Sequence, residues 1–261
     1  MSVFTSTPLL LQIVAVLMLG LTLGSFVNVC IHRLPKNESV VVPRSYCISC
    51  KVNLSARDNI PILSYLLLKG KCRQCNASVS ILYPMIETLT ALLILAAYIK
   101  FGVSMNFFIF CFIGPSLIAI TIIDIKHKII PDIITLPGIM FGLMAGSYLI
   151  GLKDSFIGLL VGGGTFLITS EIYYRIRGNV GMGGGDIKLI AAIGALLGWQ
   201  KVILIIFLSA FIGSLFGLAG LIGKRLNSLS QIPFGPFLAG GTLIAYFSGE
   251  RIIRLYIIML T

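Results

Sequence analysis

Asp124 and Asp186 each stand at the edge of a long apolar stretch, and Asp186 directly follows Gly183, Gly184 and Gly185. Acidic side chains at membrane depth are costly to keep and mark function more often than accident. Two carboxylates whose surroundings push their proton affinities apart can share one proton. One then activates water as a base while the other donates to a scissile carbonyl, which is the chemistry of aspartic peptide hydrolysis. The glycines let backbone come close to another chain, and the helix expected after them favours an ionised carboxylate at its N-terminus. The plain structural alternative is that each aspartate caps a helix or pairs with Lys126 or Lys188.

A second cluster is made of thiols. Cys47-Ile-Ser-Cys50 and Cys72-Arg-Gln-Cys75 are two C-x2-C pairs with a 21-residue spacer, close to the spacing of four-thiolate zinc sites. Such a closed shell leaves no open position for water or substrate, so the metal would be structural. A redox dithiol pair is the competing reading.

The elements that must hold these residues are membrane helices. With 57% hydrophobic and 11% charged residues and a mean hydropathy of +1.02, the chain is an all-α polytopic membrane protein and not a soluble domain. Apolar stretches predict about eight spans, at residues 8–30, 84–99, 106–123, 131–150, 155–173, 187–199, 201–223 and 235–248. Three regions follow: a first membrane helix over 1–30, a polar cysteine loop over 31–83, and a polytopic remainder over 84–261. The loop is too small to fold on a core of its own, which is why it needs a metal staple.

With the N-terminus outside, fifteen lysines and arginines fall on the inner side and five on the outer. That is the positive-inside distribution, and it brings the cysteine loop, Asp124 and Asp186 to the cytoplasmic boundary. The net charge of +11 is thus a topology signal rather than a nucleic-acid footprint. No basic region precedes the first helix and no clear cleavage site follows it, so it is expected to be retained. Internal repeats are not evident.

Other residues have two readings each. Glu87 either meets a substrate's positive N-terminus or is a first-turn acid, and Asp132 after Pro131 either assists Asp124 or does the same at its own helix. His32 and His127 read as solvated boundary residues, Glu171 as interfacial, and Cys30 and Cys111 as small buried hydrophobes. An ion-coupled transporter would use Asp124 and Asp186 but gives the cysteine loop no role. A zinc-stabilised scaffold without catalysis gives the Gly-Asp run none.

Ordered along the chain are Gly24-Ser25-Phe26-Val27-Asn28-Val29, Arg33-Leu34-Pro35, Asp58-Asn59-Ile60-Pro61, Ser64-Tyr65, Tyr83-Pro84 and Glu87. Then come Asp124 with Ile130-Pro131-Asp132 and Thr135-Leu136-Pro137, Gly183-Gly184-Gly185-Asp186, and Ile232-Pro233-Phe234-Gly235-Pro236-Phe237. Together with the four cysteines, these segments resemble the type IV prepilin peptidase family over nearly the whole chain, including the GxGD segment shared with presenilin-like proteases. The resemblance implies an inner-membrane aspartic endopeptidase that removes the basic leader of type IV prepilins or pseudopilins at the cytoplasmic face, typically after a glycine. It also implies N-methylation of the new N-terminus with S-adenosylmethionine, for which no residue can be assigned from sequence. Ile48, Leu82 and Val180 depart from the family's usual pattern, at positions bearing on substrate choice and methylation.

Overall fold

A computed structural model of the chain describes residues 8–179, 181–223 and 232–260, so Val180, Lys224 and Arg225 lie outside the described residues. It contains nine α-helices among those residues: α1 Leu9–Arg33, α2 Leu63–Leu67, α3 Leu82–Phe101, α4 Met105–His127, α5 Asp132–Ile150, α6 Leu152–Arg177, α7 Gly184–Leu197, α8 Trp199–Ile222 and α9 Gly235–Leu260. All except the short α2 overlap the eight apolar stretches read as spans, but α7 and α9 are not among the six that are long and apolar enough to cross a membrane. The chain divides into two compact units, Met1–Ala119 and Ile120–Thr261, and the division falls within α4.

In the first unit α1 and α3 pack side by side. Their contact is set by Gly20 and Gly24: a side-chain carbon at Gly20 would lie 2.5 Å from Ala91 Cα, and one at Gly24 2.6 Å from Glu87 Cα. Small residues four apart let two backbones touch where apolar lipid provides no hydrophobic drive for association. Between these helices lies a lobe with two 3-10 turns, Leu34–Lys36 and Ala56–Asn59, and the short α2. Arg33, buried at the exit of α1, donates to the carbonyls of Ser39 and Arg44 at 2.9 and 3.1 Å and lies 5.5 Å from the Tyr46 ring. It thus ties the lobe to the helix that enters it.

In the second unit α7 is the core. Its 14 residues span about 21 Å at 1.5 Å each, short of the roughly 30 Å hydrocarbon layer. Leu189 to Leu197 are all buried, so α7 is a helix enclosed by protein. It is lined on either side by glycines of its neighbours: a Cβ at Gly158 of α6 would lie 2.1 Å from the Gly194 carbonyl oxygen, and one at Gly146 of α5 would lie 2.1 Å from that of Ala195. Ser155 closes the contact by donating to the same Ala195 oxygen at 2.6 Å. Six helices, α1, α3, α4, α5, α6 and α8, are long and apolar enough to cross a membrane, and the protein is multi-pass. The last helix runs to Leu260 rather than ending at residue 248, carrying Glu250, which pairs with Lys201 of α8 at 3.0 Å.

Candidate active site

Asp124 lies in the last turn of α4, a helix end where its own dipole disfavours a negative charge. The structure supplies an opposing donor that sequence reasoning missed. Asp124 is buried, and its Oδ2 accepts the backbone N–H of Gly235 at 2.8 Å. Gly235 is the first residue of α9, so this N–H is one of the donors a helix start leaves without an internal partner. A Cβ there would lie 2.8 Å from the Asp124 oxygen, so any other residue would have to displace that carboxylate. Each carboxylate therefore meets a helix N-terminus: Asp186 in the first turn of its own α7, and Asp124 through α9.

The two aspartates are within electrostatic reach of each other. Asp186 Oδ1 is buried and has no hydrogen-bond partner, an arrangement that is costly unless a water or a substrate group completes it. Lys188 is bound to Asp132 at 2.7 Å and not to Asp186. That contact makes Asp132 a paired first-turn acid of α5. The three glycines divide their work. Gly183 and Gly184 are exposed, and Gly184 has nothing within 4 Å of its missing Cβ, whereas a Cβ at Gly185 would lie 2.7 Å from that of Ile130, so Gly185 packs directly against this residue. Of the remaining residues, Glu171 pairs with Arg175 at 2.8 Å, His127 is exposed, and Cys30 and Cys111 are half-buried rather than enclosed.

The four thiols converge in the first unit. The sulfurs of Cys47, Cys50, Cys72 and Cys75 all lie within 4.8 Å of one another, and those of Cys47 and Cys75 are 3.8 Å apart. Four thiolates at about 2.3 Å from a tetrahedral metal would be separated by about 3.8 Å, so the cluster has the size of a metal shell. The two knuckles are one turn used twice, a repeat invisible in the residue types. In the first, Cys47 N–H bonds the Val52 carbonyl and Lys51 N–H that of Cys47; in the second, Cys72 bonds Ala77 and Asn76 bonds Cys72. Lys51 and Asn76, each following the second cysteine of its pair, both take positive φ, at 59° and 55°. The backbone N–H of Cys50, aided by that of Ser49 and by the neighbouring thiols, holds the Cys47 thiol down at about 6. Four sulfurs this close cannot all ionise without a cation among them.

Asp58 locks the second knuckle to the preceding 3-10 turn. It accepts from Arg73 at 2.8 Å and from Ser55 at 2.8 Å, and these bonds, Arg73 first, hold its carboxyl below the ordinary carboxylate range. Glu87, expected near the approach of a substrate, lies in this first unit, while Asp124, Asp186 and the three glycines belong to the second. It is buried in α3, and its Oε2 accepts the Ile62 N–H at 2.8 Å.

Residues 18–101 match the bacterial Peptidase A24 N-terminal domain, and residues 109–218 match the Type IV leader peptidase family. Several bacterial relatives align along almost their full length. A protein of Bacillus subtilis strain 168 is 39% identical over 92% of this chain and 96% of its own. One of Aeromonas salmonicida strain A449 is 35% identical over 93% and 92%, and one of Pseudomonas aeruginosa 34% identical over 94% and 93%. Each of the three is called a prepilin leader peptidase/N-methyltransferase. No solved structure matches the chain.

Proposed function

The chain belongs to the type IV leader peptidase family, and from that premise we propose that it removes the leader of type IV prepilins or pseudopilins with Asp124 and Asp186 and then methylates the exposed amine. The observation that carries the peptidase assignment is the buried, unpartnered Asp186 Oδ1 within electrostatic reach of Asp124. In the reaction, one carboxylate takes a proton from water, whose oxygen attacks the scissile carbonyl carbon. The other gives its proton to the carbonyl oxygen. As the tetrahedral adduct collapses, the C–N bond breaks, the leaving nitrogen collects the proton held by the base, and the second carboxylate takes back a proton from the adduct's hydroxyl as the C=O bond reforms. The Gly235 N–H keeps one oxygen of Asp124 fixed throughout, leaving the other to face the reacting groups. Exposed Gly183 and Gly184 offer the backbone surface against which an extended substrate segment lies.

Cys47, Cys50, Cys72 and Cys75 hold one structural zinc, which their mutual distances fit. S-adenosylmethionine, when bound, would supply an electrophilic methyl group to the neutral amine, the sulfur keeping the bonding pair and the nitrogen giving up a proton to water. The enzyme works in the inner membrane with its N-terminus outside and its aspartates at the cytoplasmic face, in keeping with the basic residues flanking both of them. Incubating purified protein with a prepilin-like peptide tests the assignment. Asp124→Asn and Asp186→Asn should each lower cleavage more than about a hundredfold while membrane insertion persists. Near-normal cleavage by either variant overturns the pair, and an uncut substrate with the parent protein returns the ion-coupled transporter to consideration.

A further inference from the structure

The first unit contains a cavity of about 230 Å3, bounded by the end of α1, the cysteine lobe and the start of α3. Its wall includes Tyr46, Tyr65 and Tyr83, with Arg33, and it contains Glu87. The peptidase chemistry assigned to Asp124 and Asp186 does not use these residues. Glu87 is 7% exposed, so its carboxylate is largely removed from water; it is hydrogen-bonded to Ile62 and Ser25, and among the described residues it forms no ion pair with a lysine or arginine. Buried carboxylates without a cation are rare because the charge is costly to desolvate.

The backbone beside it is unusual. Ile62 takes φ 60° and ψ −50°, and the Leu63 N–H reaches the Pro61 carbonyl at 2.6 Å, which is the rare γ-turn of positive φ. A β-branched residue is strongly disfavoured there, and such strain persists where surrounding structure enforces it, often at ligand sites. Glu87 braces this turn, because its Oε2 accepts the Ile62 N–H at 2.8 Å. A second polar tie at the floor, Asn28 Nδ2 to the Tyr83 carbonyl at 3.1 Å, fixes α1 against the start of α3.

We propose that this cavity binds S-adenosylmethionine, with Glu87 facing its sulfonium and the tyrosines framing its aromatic base. The proposal deepens the methyltransferase reading above and rests on it. The ligand carries a positive sulfur, an aromatic adenine and a carboxylate, and the wall offers a counterpart for each. A buried carboxylate and aromatic faces attract a sulfonium as they do other cations, tyrosine rings stack on a base, and Arg33 can pair with the ligand's carboxylate. Glu87 would then discriminate between donor and spent product, because the sulfur becomes neutral once its methyl has left. Binding the donor more tightly than the product prepares the site for the next cycle.

That difference of one charge gives a test that structural damage alone cannot mimic. Binding of S-adenosylmethionine and of S-adenosylhomocysteine to the purified full chain in detergent is measured by equilibrium dialysis, with zinc content as a check on the lobe. The parent should prefer S-adenosylmethionine. Glu87→Gln retains an oxygen to accept the Ile62 N–H, so it should weaken S-adenosylmethionine about tenfold or more while leaving S-adenosylhomocysteine unchanged. Asp124→Asn should bind both as the parent does. Unchanged binding of S-adenosylmethionine to Glu87→Gln overturns the site, as does equal weakening of both ligands, which would make Glu87 a purely structural tie. A parent that binds neither ligand overturns the methyltransferase reading as well, so the two failures are distinct.

Discussion

Asp124 and Asp186 stood out in the sequence because a carboxylate at a membrane edge has few plain reasons to be there, and because a run of three glycines is a rare neighbour. Gly235 did not stand out on chemical grounds, since the group it contributes is a backbone N–H that every residue except proline carries. Its only signal was its place in Ile232-Pro233-Phe234-Gly235-Pro236-Phe237, where a proline at the second helical position marks a helix start whose donors need outside partners. The geometry makes its role testable. In Gly235→Ala the new methyl must displace the Asp124 carboxylate from 2.8 Å, so cleavage should fall at least about tenfold, the scale of a hydrogen bond to a charged group. Gly240→Ala, in the same helix but with nothing within 4 Å, should cut like the parent. Equal rates for the two variants in a prepilin-peptide assay would mean that Gly235 does not position Asp124. Glu87 was visible only as an acid near a helix start; its hold on Ile62 depends on a turn of positive φ that no residue type at that position foretells.

Apolar length located the helices well, because continuous hydrophobicity over spanning distance has one economical solution in a membrane. It failed where a helix is short for another reason or charged for another reason. The seventh helix meets the length of a core helix, and what fixes it is the glycine packing at Gly146, Gly158 and Gly194, a three-dimensional match that a hydropathy window cannot read. The last helix continues past residue 248 through Glu250, Arg251 and Arg254, charges that end an apolar window but not a helix. The cysteine knuckles show the same limit, since they share little beyond C-x2-C in sequence yet form the same turn with the same positive-φ position, held by Lys51 in one and Asn76 in the other. Each knuckle alone has only a few backbone hydrogen bonds, so the lobe depends on what joins them. Metal binding in so small a unit is largely its folding free energy. Cys47→Ser or Cys72→Ser should therefore lower the zinc content of freshly purified, reduced protein and render residues 36–82 sensitive to protease. Parent protein that contains no zinc, or a cysteine variant whose lobe resists protease as the parent does, would remove the staple.

For the molecule as a whole, composition and charge settle that helices cross a membrane, and the basic residues near Asp124 and Asp186 argue that both face the cytoplasm. A site at that boundary constrains its substrate. On the proposed topology the scissile bond would lie where a basic leader meets an apolar helix, because farther along the helix the bond would be buried in lipid and farther out it would have no membrane to align it. A peptide bond within a helix is shielded by its own hydrogen bonds, so the segment must be extended before water can attack. Glycine just before the cut eases that step twice. It disfavours helix by about 1 kcal/mol relative to alanine, and it lets the substrate backbone come close to the exposed Gly183 and Gly184. Replacing that substrate glycine with valine, whose branched side chain resists close approach, should reduce cleavage far more than shortening the leader or neutralising single leader charges. Rates for such a peptide set, measured with the same purified protein, distinguish steric from electrostatic recognition. Fast cleavage of the valine peptide alongside failure of the charge variants would mean that the basic leader, and not the extended backbone at the glycines, is what the site reads.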